Sequence, residues 1–174
     1  MFIYIIIAGL LLPQTAVIPV QNATSKDWIP YSYWHHPWGK SGVHKGIDIF
    51  AKQGTPVLSF AAGIVLFKGH IKLGGNVVAV IRPKWHLCYY AHLQSTDAHV
   101  LEWVNSGESI GMVGTTGNAA GKPAHLHFSI ITLIPPCRNY HRNTRLEAHV
   151  LCELCHKILK TKYKNLSIEI LQYG

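Results

Sequence analysis

The chain has 174 residues, which allows one domain with a real core and leaves no room for two full ones. Hydrophobic residues make up 48% and charged residues 14%, which excludes a disordered or coiled-coil protein. A formal net charge of +8 suits anionic partners without selecting one, and 12 histidines against 8 acids put acid–base or metal chemistry on imidazole, against a two-carboxylate glycosidase layout.

Phe2–Leu12 is an uncharged apolar run, followed by Pro13 and Pro19, and the first charge is Lys26. Its length matches the apolar centre of a signal peptide better than a membrane span of about 20 residues. Residues 1–25 are therefore expected to be a signal peptide or N-terminal anchor, with residues 2–20 the segment available for membrane association. The expected location is the periplasm or cell envelope. Trp34-His35-His36-Pro37-Trp38 reads as groove lining or loop packing rather than as a second metal site.

From Gly46 onward, short β-rich runs alternate with glycine-bearing turns. The expected strands are Gly46–Phe50, Pro56–Phe60, Ile64–Lys68, Asn76–Arg82, His86–Leu93, Ser109–Val113 and Leu126–Thr132. Turn signals at Ala62-Gly63, Gly74-Gly75, Ser106-Gly107 and Gly117-Asn118 fit an antiparallel meander. Long helical periodicity is absent, so the fold class is all-β, mainly antiparallel, with short connecting loops.

Side chains alternate faces along a strand. Over His125–Ile131 this sets Leu126, Phe128 and Ile130 on a packed face and His125, His127 and Ser129 on the other. Over His86–Leu93 the same rule assigns Leu87, Tyr89, Ala91 and Leu93 to the apolar face and His86, Cys88, Tyr90 and His92 to the opposite one. Two strands thus present histidines from a single face each.

In an extended strand His44 and Asp48 would point the same way but lie about 13 Å apart at Cα, too far to share an ion with bonds near 2 Å. Gly46 at the midpoint permits a bend that turns both inward. Catalytic zinc takes three protein ligands and keeps a position for water, and His44, Asp48 and one of His125 and His127 would complete such a set. Gly111, Gly114, Gly117 and Gly121-Lys122 do not make a phosphate loop. Three residues rather than four separate Gly117 from Gly121, and Pro123 follows the lysine.

Three segments, His44-Lys45-Gly46-Ile47-Asp48, Tyr90-Ala91-His92-Leu93 and Gly111 through Phe128 with its His125-Leu126-His127, strongly resemble the zinc metallopeptidases of the lysostaphin/LytM type, peptidase family M23. They stand in that family's order, and the resemblance covers about residues 28–136. It implies an antiparallel sheet with a zinc-bearing groove. It also implies one zinc per chain on His44, Asp48 and His127, with His92 and His125 assisting catalysis without binding metal. The implied activity is that of an exported endopeptidase cutting peptidoglycan stem peptides or cross-bridges, with no nucleic acid as partner. The alternative is a non-catalytic wall-binding or hydrolase-activating module on the same fold. Retention of all five positions favours the enzyme, because non-catalytic members typically lose ligands. Ser129 and Cys88 depart from the family's usual residues at positions that bind no metal. With no H-E-x-x-H motif, and Glu102 and Glu108 the body's only glutamates, proton transfer falls to His92 or His125.

The catalytic domain is accordingly expected over residues 26–136. Residues 137–174 form a basic, Cys-containing divergent tail in which Leu146–Lys164 has the pattern of an amphipathic helix. The resemblance stops within one or two residues of Pro135. Permitted codons for Cys137 through Leu154, read one nucleotide later, restore a string resembling the end of relatives, so a shifted reading frame is the expected origin of the tail. On that reading the C-x-x-C-H pattern at Cys152–His156, which otherwise suits haem attachment, is an accident.

Overall fold

The computed structural model describes residues 14–38 and 42–132; the apolar run Phe2–Leu12 and the tail 137–174 lie outside them. Within the described residues eight strands form one antiparallel sheet: β1 (Ile47–Phe50), β2 (Pro56–Leu58), β3 (Gly63–Ile71), β4 (Gly75–Arg82), β5 (His86–Ser95), β6 (Trp103–Val104), β7 (Ser109–Val113) and β8 (His125–Thr132). The main path runs β1-β8-β5-β4-β3-β6, while β7 joins both β2 and β5. The all-β reading holds, and among the described residues no helix is long and apolar enough to cross a membrane.

The core lies under one face of this sheet. Leu126, Phe128 and Ile130 on β8 are buried there as their alternation requires, and the Phe128 ring lies 5.2 Å from those of Phe60 and Tyr90. Residues ahead of the first strand belong to the same packing. Ala16 and Val20 are part of the buried cluster, and Val20 bridges to Val57.

On β5 the faces differ from those expected. Cys88 and Tyr90 belong to the core cluster, whereas Leu87 and Tyr89 on the opposite face are half-buried. The cause is a β-bulge. Leu93 pairs with Asn76 but Tyr90 pairs with Val78, so Ala91 and His92 together stand opposite Val77. The extra residue resets the alternation, and Tyr90 and Leu93, three apart, both reach the core. Counting back from Leu93 in steps of two therefore selects the wrong face for Cys88 and Tyr90.

The two-residue strand β6 is a further difference. Trp103 and Val104 form too short a run to signal a strand, and pairing with Ile64 and Gly63 of β3 creates it.

Candidate metal and catalytic centre

Three elements meet at one end of the outer face. Asp48 lies on β1 directly opposite His127 on β8, a cross-strand pair that sets their side chains together. His44 enters from the segment before β1, its main chain held by hydrogen bonds from its N–H to His35 O (3.1 Å) and from Trp34 N–H to its own carbonyl (2.7 Å). The Trp38 ring stacks on His44 with centroids 4.2 Å apart.

The chain bends at Gly46 as expected, and the residue has a second role. Its φ is not among the positive values in the chain. A Cβ there would lie 2.6 Å from Phe128 O and 2.8 Å from the His127 ring, so the glycine lets β1 approach β8 closely enough for Asp48 and His127 to meet.

The donor atoms form a small triangle. His127 Nδ1 lies 2.8 Å from Asp48 Oδ1, His44 Nε2 lies 3.0 Å from the same oxygen, and the two nitrogens are 3.1 Å apart. His44 is buried, and its Nδ1–H donates to Ser32 O at 2.8 Å, which turns Nε2 towards Asp48 and His127. Burial alone would raise the Asp48 carboxyl, but hydrogen bonding to His127 and His44 outweighs it and holds the group well below the usual carboxylate range. With a metal ion bound, the same carboxylate oxygen and two ring nitrogens would turn lone pairs to it in place of these shared protons. The triangle is a few tenths of an ångström tighter than one face of a tetrahedral shell with bonds of about 2.0–2.2 Å, whose edges are about 3.3–3.6 Å. Among the described residues, this is the group of three or more His, Cys, Asp or Glu whose geometry could hold a metal ion.

His92 and His125 stand beside the triangle. Their ring centroids are 5.0 Å apart, and His92 lies 5.9 Å from His127. His92 Nδ1–H donates to Thr116 O at 2.9 Å and His125 Nδ1–H to Pro123 O at 2.7 Å, so in each ring Nε2 is the nitrogen left for other partners. His125 Nε2 is 3.9 Å from Asp48 Oδ2. Burial, then the nearby His125 and His127, push His92 down to about 4, so it is neutral near pH 7 and able to accept a proton.

All five residues singled out in the sequence thus come together. The backbone carbonyls of Ser32, Thr116 and Pro123, which fix three of the four rings, are not legible in the sequence because main-chain acceptors carry no residue signature. Trp38, expected to line a groove or pack a loop, packs on His44.

The Peptidase family M23 model matches residues 42–140 of the chain, more than half its length. The chain belongs to peptidase family M23. The DD-carboxypeptidase/endopeptidase Mpg of Neisseria meningitidis serogroup B is 40% identical over 103 residues, covering 57% of this chain and 23% of that protein. Lysostaphin of Staphylococcus simulans is 32% identical over 123 residues, covering 66% of this chain and 24% of that protein. The chain therefore spans about a quarter of the length of these relatives. Among solved structures, the catalytic domain of lysostaphin from Staphylococcus simulans matches with a TM-score of 0.56 and 32% identity over 61% of this chain and 80% of that one. A zinc-containing peptidase from Vibrio cholerae matches with a TM-score of 0.54 and 27% identity, over 67% of this chain and 37% of that one.

Proposed function

We propose that this chain is a zinc-dependent endopeptidase that hydrolyses peptide bonds in the stem peptides or cross-bridges of bacterial peptidoglycan. One zinc ion is held by His44, Asp48 and His127. The observation that carries the reading is the convergence of three possible ligand atoms within 3.1 Å, on a chain of peptidase family M23. Relatives named as a DD-carboxypeptidase/endopeptidase and as peptidoglycan DD-endopeptidase ShyC of Vibrio cholerae support the substrate class. The structural likeness to a zinc-containing peptidase of Vibrio cholerae supports the metal.

Bound there, zinc would supply a Lewis acid for a carbonyl and bring the pKa of a water down to about 7. The remaining chemistry belongs to the chain. His92 and His125 stand side by side with Nδ1 of each held by a backbone carbonyl, so the Nε2 of either ring, when unprotonated, could take a proton from an attacking water and return it to the leaving amine. When protonated at Nε2, the same rings can hydrogen-bond an oxyanion.

The apolar run Phe2–Leu12 supports export, with the catalytic residues carried by 26–136 and Ala16 and Val20 packed into the same core. Because Ala16 and Val20 are buried in the core, a processing cut that leaves the core intact falls before Ala16.

The test is digestion of purified peptidoglycan of known cross-link type, with products identified by mass spectrometry. New amino and carboxyl ends within stem peptides or cross-bridges, lost on chelation and restored by zinc, are expected. Intact cross-links after incubation with the zinc-loaded chain would overturn the proposal.

A further inference from the structure

His92 occupies an unusual place in the backbone. It is the bulged residue of β5 and has φ +65, a left-handed conformation uncommon for a side chain larger than glycine. Such a conformation persists only where its surroundings fix it. Three hydrogen-bonding groups around it converge on Thr116, in the turn after β7. The Thr116 carbonyl accepts the His92 Nδ1–H at 2.9 Å. Its hydroxyl donates to Leu93 O on β5 at 2.9 Å and accepts from Asn76 N–H on β4 at 3.0 Å. A single side-chain hydroxyl thus bridges the two strands where the bulge interrupts their ladder.

The placement of Thr116 is itself fixed by a close backbone joint. A Cβ on Gly75 would lie 2.2 Å from Thr116 Oγ1, and one on Gly117 would lie 2.3 Å from Gly75 N. The Gly74 carbonyl accepts the His92 N–H at 2.8 Å, and the Leu73 carbonyl accepts from Asn118 N–H at 2.9 Å. The β3–β4 hairpin tip and the 116–118 turn therefore lock against each other around His92.

We propose that Thr116 is a positioning residue for the proposed reaction. Its hydroxyl holds the β5 bulge shut, so that its own carbonyl fixes His92 as the Nδ1–H tautomer and aims Nε2 at the metal centre. The chemistry assigned to His92 rests on the proposed function; the geometry of its ring does not.

The test uses the zinc-loaded full chain, with wild type, Thr116→Val and Thr116→Ser compared in two measurements. In ¹⁵N-detected imidazole spectra, wild type and Thr116→Ser should show His92 protonated at Nδ1 alone, and Thr116→Val should show mixed tautomers. In peptidoglycan hydrolysis, Thr116→Val should lower kcat by about tenfold or more with KM within about twofold, below the ~10²–10⁴-fold loss for removing an acid–base group, and Thr116→Ser should restore it. A wild-type His92 protonated at Nε2 overturns the proposal even if Thr116→Val fails to fold. So does a Thr116→Val chain with unchanged tautomer and kcat, or a serine variant as impaired as the valine one. If the wild type cuts no peptidoglycan, the proposed function fails, and the tautomer spectra still decide whether Thr116 sets the ring.

Discussion

Replacing Gly46 with alanine adds one methyl group between β1 and β8, and the structure shows what it meets. The new Cβ would stand 2.6 Å from Phe128 O and 2.8 Å from the His127 ring, both part of the wall behind the metal triangle. Carbon–oxygen contacts close to about 3.3 Å, so the strands must separate by about 0.7 Å or the His127 ring must turn. Overpacking of this kind costs about 1–3 kcal/mol, and disturbing the support of a ligand typically costs about 10–100-fold in metal affinity. Gly46→Ala should therefore bind zinc at least tenfold more weakly, measured by competition with a chromophoric chelator, and melt at lower temperature. Zinc affinity within twofold of wild type would refute the reasoning, because it would mean that β1 and β8 need not approach closely for Asp48 and His127 to meet.

His92→Ala and His125→Ala should each retain metal by elemental analysis while losing about 10²–10⁴-fold in peptidoglycan hydrolysis, and near-normal turnover of the double variant would remove both from the chemistry. Leu101 has φ +68 and is 77% exposed, so Leu101→Gly should relieve left-handed strain at little loss of packing and stabilise the chain by about 0.5–1 kcal/mol in chemical denaturation. Burial, then Arg82 and Lys84, push His86 down to about 4 from 6.5, and its buried Nδ1 has no hydrogen-bond partner among the described residues. Below pH 6.5 the unfolded chain binds a proton that the folded one refuses until about pH 4. Stability is therefore fully present above 6.5 and falls across that window, and His86→Leu should lose less melting temperature between pH 7 and 4.5 than wild type.

Strands whose sequence alternates cleanly were legible. Leu126, Phe128 and Ile130 reach the core as their alternation implies, and Ser109–Val113 is a strand with the expected ends. The segments that escaped are set by non-local pairing. Whether Cys88 faces the core depends on a bulge four residues away, and Trp103–Val104 is a strand only because β3 lies alongside. The five site residues were legible because short motifs hold them, and family resemblance arranged them into roles. Gly46 stands out in the sequence for its freedom to bend and does lie at a bend, but its service as the point of close approach to β8 shows only in the assembled sheet. Thr116 was invisible as a positioning residue, since both its carbonyl and the strands its hydroxyl bridges are known only once the sheet is assembled.

Everything proposed for this site depends on zinc held by His44, Asp48 and His127. Anomalous diffraction collected on both sides of the zinc absorption edge, from crystals of the zinc-loaded chain, tests that assignment most directly. One strong peak is expected within about 2.0–2.2 Å of His44 Nε2, an Asp48 carboxylate oxygen and His127 Nδ1. A peak ligated by His92 or His125 in place of any of these, or none at the triangle in fully loaded crystals, would contradict it.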